Sequence, residues 1–312
     1  MTRTFPTLST TARALTAGTI LAGWPPHRGQ AESAQPTSSI SGAYGPNRPG
    51  NAPPASVTYS FPSALHDSPV GGDLDSLATH VTYLESIRGG KDYEWLIGID
   101  WRRLDFGFPT GTPLPQSLQS LALVAGADWQ FASGWRVRLE VLPGIYSDFS
   151  NFNARAVNAP FTAELAYSVN ESLNVGGQLL IDGRRDFPVL IVPGVTWRFA
   201  ERWLLSFWIP RPQVEFQASE RLAVFLGASL SGGTYQASPD LGGSQSTHSE
   251  GSLIDYREIS LGAGFRWKVL AQHNLEFGAG WTLNRRFNFT ETDGDISTQG
   301  APYLQLSFGR AF

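Results

Sequence analysis

The chain has 312 residues, a net charge of −4 and a charged fraction of 16%, against about 25% in an ordinary soluble protein. That balance excludes a basic nucleic-acid surface, and the absence of cysteine excludes disulfides, iron–sulfur sites and thiol nucleophiles. No run reaches the ~18 apolar residues of a spanning helix, but a transmembrane β-barrel stays allowed because its lipid face is interleaved with polar residues.

In chain order, residues 1–31 read as an export signal. Arg3 and Arg13 supply charge, Ala14 to Gly23 form a short apolar core, and Gly29-Gln30-Ala31 offers small residues for cleavage. Residues 32–55, rich in Ser, Pro, Gly and Ala, read as a disordered linker, leaving 56–312 as one folded barrel. Val57 to Phe61 is the first candidate strand. In Tyr93 to Arg102, Trp95, Ile97, Ile99 and Trp101 share one face, with Glu94, Gly98, Asp100 and Arg102 on the other. Trp135 to Val141, Phe161 to Ser168, Ile259 to Trp267 and the stretch 274–289 repeat that alternation.

The last strand places Leu304, Leu306, Phe308 and Phe312 on one face, opposite Tyr303, Gln305 and Ser307. A terminal aromatic on such a strand resembles the closing signal that outer-membrane barrels present to their insertion machinery; Arg310 departs from it, where another aromatic or apolar residue is usual.

Two features distinguish this pattern from a soluble sandwich. The alternating runs extend to 16 residues at 274–289, beyond the usual 5 or 6 or so of a sandwich strand. Trp and Phe also gather at the ends of the apolar faces (Trp129, Phe131, Trp135, Trp197, Phe199, Trp267), where rings favour the headgroup level. Short turns near 88–92, 132–133, 170–171, 200–201, 218–220 and 270–272 alternate with longer loops at 107–116, 148–159, 183–187, 237–254 and 290–300. The rhythm predicts an all-β, antiparallel, up-and-down transmembrane barrel of 14 strands, or 12 if the hairpin at Pro210-Arg211-Pro212 is one irregular strand. Pro143 and Pro193 predict bulges or kinks.

Leu142-Pro143-Gly144-Ile145-Tyr146-Ser147-Asp148-Phe149, with Trp101-Arg102-Arg103-Leu104-Asp105-Phe106, Asp182-Gly183-Arg184-Arg185-Asp186, Val192-Pro193-Gly194-Val195-Thr196-Trp197 and Asp255-Tyr256-Arg257-Glu258, resembles an uncharacterised Gram-negative outer-membrane β-barrel family, domain of unknown function 6268, over roughly 56–312. The resemblance implies a location in the cell outer membrane and no known activity.

The histidines (His27, His66, His80, His248, His273) lack metal-ligand spacing, so no metal or cofactor is expected. His248 lies among hydroxyls and Glu250, as a loop hydrolase would need, but nothing supplies an orienting partner or an oxyanion hole, and the chain reads as not an enzyme. Asp293-Gly294-Asp295 reads as a turn rather than a cation site. The informative charges are those on inner strand positions. They are Glu94, Asp100 and Arg102, then Asp128, Arg136, Arg138, Glu140 and Glu164, then Asp182 and Arg198, then Glu258, Arg266, Lys268, Glu276 and Arg286.

Both signs on neighbouring strands fit either a water-filled pore with a transverse field or a lumen closed by salt bridges. The leading expectation is a passive channel or uptake barrel for small solutes. The alternatives are a closed structural or adhesion barrel acting through its outer loops and, last, a membrane-embedded hydrolase. Expected partners are outer-membrane lipid and lipopolysaccharide, with Arg184, Arg185 and Asp186 near anionic headgroups.

Overall fold

The structure is a computed structural model that describes residues 55–68, 70–150, 153–185, 187–238, 252–270, 273–290 and 294–310. The export signal, residues 32–54 of the linker, His27, Asp186, His248, Asp293 and Phe312 lie outside the described residues, while Ala55 already belongs to the first strand. Seventeen strand segments form a single sheet that closes on itself. They are β1 (Ala55–His66), β2 (Asp73–Arg88), β3 (Tyr93–Gly107), β4 (Ser117–Gln130), β5 (Trp135–Val141), β6 (Gly144–Ser147), β7 (Val157–Asn158), β8 (Phe161–Asn170) and β9 (Leu173–Ile181). There follow β10 (Val189–Ala200), β11 (Trp203–Phe207), β12 (Gln213–Gln217), β13 (Leu222–Ala237), β14 (Ser252–Leu270), β15 (His273–Phe289), β16 (Gly294–Thr298) and β17 (Ala301–Arg310).

Three staves of the wall are each built from two segments: β5 with β6, β7 with β8, and β16 with β17. The result is a closed antiparallel barrel of 14 staves. Closure pairs β1 with β17, from Ala55 opposite Phe308 to Ser60 opposite Tyr303. As far as the described residues go, the expected short turns lie at one end. The loop expected over 290–300 instead contains β16, which extends the last stave and pairs with β15 and β1. At Leu142-Pro143 the strand is interrupted, yet the register against β4 continues from Ala125 opposite Val141 to Ala122 opposite Gly144. Pro193 causes no shift against β9 either. Arg198 gives its N–H to Ser172 on that side, so strand alternation points the hydrogen-less nitrogen of Pro193 the other way.

The outer face of the wall carries exposed apolar side chains in a belt. On β14 the belt runs from Ile259 to Trp267 and on β15 from Phe277 to Leu283. Eight residue steps of a tilted strand rise about 20 Å, close to the apolar band of a membrane barrel. Toward the long loops the pattern inverts. In β3, Arg103 and Asp105 lie on the outer face and pair with each other at 2.7 Å, while Phe106 is buried on the inner face. Asp75 on β2 faces outward near the Tyr59 hydroxyl, while Leu74 is buried. Once the wall leaves lipid its outer face meets water, so apolar residues move inside, as in a soluble barrel.

This loop-end half has an apolar core. Leu65, Leu74, Phe106, Leu114, Leu118, Tyr146, Tyr235, Ile254, Tyr256, Phe287 and Ile296 are buried together. Phe287 lies 5.1 Å from the rings of both Phe106 and Tyr256. All of them come from β1–β4, β6, β13–β16 and the loop before β4, and none from β7–β12. The reason is a seam across the barrel. Ser147 of β6 pairs in parallel with Gln236 of β13, Asp148 gives its N–H to the Gln236 carbonyl at 2.9 Å, and its carboxylate accepts the Ser238 N–H at 2.7 Å. To reach β6, β13 turns inward at Gly232, where φ is +151° and a Cβ would sit 2.2 Å from the Tyr256 carbonyl oxygen. Beyond that turn Gly233 to Ala237 are buried on both faces, which a wall strand half exposed to lipid would not be. Among the described residues, the seam thus divides the loop end into a packed cap and a separate lobe walled by β7–β12.

Candidate functional site: the lumen and the wall above β11 and β12

Below the cap the inner face is charged, and its groups fall into three clusters. On β4 and β5, Arg136 holds Asp128 at 2.5 Å and Arg138 pairs with Glu140, while Glu164 of β8 is buried opposite Arg138. Across the barrel, Arg266 of β14 bridges Glu215 of β12 at 2.6 Å and Glu276 of β15 at 2.9 Å, with Arg211 at 3.9 Å from Glu276. On β2 and β3, Asp100 accepts from Arg102 at 3.0 Å and from Thr82 at 2.8 Å, and meets His80 at 2.6 Å. Opposite signs on adjacent strands neutralise each other locally, so the lumen carries a mixed field rather than a single-sign filter.

The charges expected from alternation are found at varied depths. Glu94 is exposed near the short turns and accepts from the Ser86 hydroxyl at 2.5 Å, and Arg198 is exposed on β10. Glu258 sits directly beneath the cap, accepting from Tyr256 at 2.8 Å and from Arg285 at 2.8 Å. The expectation for Arg286 needs correction. Asn284 pairs with Ile259, but Thr282 pairs with Ser260, so Leu283 is an extra residue that shifts the alternation of β15 by one. Arg285 therefore shares the buried face of Glu258, and Arg286 lies on the exposed face against Asp295. Simple alternation also passes over Glu215, although Gln213, Glu215 and Gln217 set against Val214 and Phe216 carry the signal.

His80, Thr82 and Asp100 resemble a hydrolytic arrangement in composition only. Both contacts of the imidazole use Nε2, at 2.6 Å to Asp100 and 2.8 Å to Thr82. A relay needs the carboxylate on one ring nitrogen and the nucleophile on the other.

The wall itself changes above β11 and β12. These strands have five residues each, while β10 and β13 continue well past them. On the β10 side the ladder to β11 begins at Val195, and among the described residues no strand pairs with Val189–Gly194 on that side. On the β13 side, Pro212 and Pro210 accept N–H groups from Ala228 and Leu230, and no described ladder covers Ser231 to Tyr235 on that edge. Trp208, at the hairpin tip, is fully buried and gives its indole N–H to Thr196 at 2.9 Å. Its ring lies against Gly194, where a Cβ would come within 2.2 Å of it.

Fold and lumen together define a transmembrane-type antiparallel β-barrel with a charged interior and an apolar cluster packed inside its loop end. The chain belongs to the family described as Domain of unknown function (DUF6268), whose profile matches residues 128–298. No curated protein matches it. Among solved structures it is similar to an outer membrane channel from Pseudomonas putida F1, at 11% identity over 83% of this chain and 94% of that one, with a TM-score of 0.43. It is also similar to the P. putida toluene transporter TodX (10% identity, 83% and 89% covered, TM-score 0.37). A third is a Pseudomonas aeruginosa FadL homologue (12% identity, 86% and 95% covered, TM-score 0.34).

Proposed function

We propose that this chain is an outer-membrane barrel that passes small amphipathic solutes, with its short turns in the periplasm and its long loops outside. The observation that supports this reading is the charged inner face of a barrel of 14 staves, wide enough to hold water and solute between its walls. The packed cap argues against a straight aqueous pore along the axis, so steady ion conductance is expected to be low. Arg103, Asp105 and Asp75, outward at the loop end, suit contact with lipopolysaccharide headgroups and their bridging cations.

Osmotic swelling of proteoliposomes in a graded series, from small sugars to short alkyl glycosides, tests the proposal. Faster swelling in the amphipathic members than in protein-free liposomes supports it. A folded barrel that accelerates none of them overturns it. The packed cap would then favour the second reading, a closed structural barrel acting through its loops.

A further inference from the structure

We infer that Arg257 and Arg286, side by side on the outer face just beyond the lipid belt, form a clamp for a lipid phosphomonoester, the group carried by the glycolipid part of lipopolysaccharide. The inference rests on the reading that places the long loops outside, and it names the partner of that rim.

Strand register puts the two arginines together. Arg257 of β14 is directly opposite Arg286 of β15, between the pairs Asp255–Asn288 and Ile259–Asn284 on the same face. The residues that alternate with them, Tyr256, Glu258, Arg285 and Phe287, belong to the cap and lumen, so both guanidinium groups are on the outside. The Cβ atoms of such a pair stand about 5 Å apart, and like charges so placed destabilise the sheet unless an anion joins them. The strands on either side supply none. Gly232 of β13 lies beside Arg257, and Ser297 of β16 lies beside Arg286.

Both acids of the patch are on its loop side. Arg257 gives Nε and Nη2 to Asp255 at 3.1 and 2.5 Å, and Arg286 gives Nε to Asp295 at 2.5 Å. Asp255 and Asp295 both pair with Asn288, one outward-facing position farther from the lipid than the arginines. They are also better covered. The side chains of Arg286 and Arg257 are 57% and 37% exposed, those of Asp295 and Asp255 30% and 0%. On the lipid side come Asn284 and then Ile259, Leu283 and Trp281 of the belt. The surface offered to a headgroup is therefore cationic, although the two arginines and two aspartates sum to zero. Two residue steps of a tilted strand put the arginines about 5 Å beyond Ile259, at headgroup level. On β3 the same order recurs, with Trp101, Arg103 and Asp105 following one another outward from the belt. Arginine forks hold phosphate oxygens in pairs. A phosphomonoester carries about 1.5 to 2 negative charges at pH 7, which suits two guanidinium groups better than a phosphodiester headgroup does.

Native mass spectrometry of the purified full chain, released from detergent micelles, tests the clamp. The probes, at equal concentration, are lipid A with two phosphomonoesters, the same lipid after phosphatase treatment, and phosphatidylglycerol. The variants are Arg286→Gln, and Arg257→Gln combined with Asp255→Asn so that no buried carboxylate is left unpaired. Arg221→Gln, exposed at the short-turn end, is the control, and heat-modifiable mobility checks folding. Phosphorylated lipid A is expected to bind the native chain at least ~10-fold more tightly than the other two lipids, the worth of one charge-assisted hydrogen bond. Each variant should lose about that factor, and Arg221→Gln none of it. Equal binding of the phosphatase-treated lipid overturns the clamp, as does native affinity in a folded Arg286→Gln chain. Phosphatidylglycerol bound as tightly as lipid A overturns it too, by making the rim a general anionic-lipid surface. Inorganic phosphate that displaces lipid A at equal concentration does the same, because the pair would then hold a soluble anion. None of these readouts depends on solute flux, so the clamp and the proposed passage of solutes fall separately.

Discussion

Replacing Phe287 by alanine tests the claim that the loop end is closed by a soluble-type core. Its side chain is fully buried, with ring partners Phe106 and Tyr256 each at 5.1 Å. Truncating a buried Phe costs about 3–5 kcal/mol, including the edge-on ring contacts it removes. The site can relax little, because Leu74, Leu118 and Ile254 around it are themselves fully buried. If the cap opens as a local unit, that loss raises its open population by about 200- to 5000-fold. Amide hydrogen exchange reads this directly. Tyr235, Ile254 and Tyr256 should exchange faster by that factor, while Ile97 and Ile99 in the belt stay as they are. Single-barrel conductance should rise from a low baseline as the cap loosens. Uniform acceleration across all strands, or a wild-type barrel with a large steady conductance that Phe287→Ala leaves unchanged, would refute the packed cap.

Gly232→Val brings a Cβ to 2.2 Å from the Tyr256 carbonyl oxygen at a φ of +151°. Backbone strain of about 1–3 kcal/mol should break the β6–β13 seam, seen as faster exchange of the Asp148 amide. Arg266→Met leaves Glu215 and Glu276 facing each other without their shared cation. Because the arginine is partly exposed, the loss is expected to be about 1–3 kcal/mol rather than the full penalty of a buried pair, and Glu215→Gln with Glu276→Gln should restore much of it in a urea titration. Ile99→Arg places a charge on the lipid face of β3 midway through the belt, which should cost about 2–4 kcal/mol of folding stability in lipid. Arg103→Ile, in contrast, lies at the water edge and should shift the urea midpoint little.

The alternation of the strands, the aromatic ends of their apolar faces and the rhythm of turns and loops are local properties. Side chains of a strand point to opposite faces with period two whatever lies beside it, so the 14-stave wall, its short-turn end and most of the inner charges were legible in the chain. The inversion at the loop end leaves its signal in Arg103-Leu104-Asp105-Phe106, where charge and apolar residues trade faces, but alternation alone does not say where lipid ends. What the chain alone could not show depends on pairing between distant strands. The bulge at Leu283 becomes visible only against Ile259 and Ser260, and it decides whether Arg285 or Arg286 enters the lumen. The seam from Ser147 to Gln236 joins residues 89 apart in sequence and converts an open-looking tube into a cap and a lobe. The end of the ladder above the hairpin likewise follows from strand lengths, since the brevity of β11 and β12 leaves Val189–Gly194 paired, among the described residues, with β9 alone. Periodicity determined which residues face in and which face out. Tertiary pairing decided which of the inner residues meet one another, because those contacts join strands far apart in sequence.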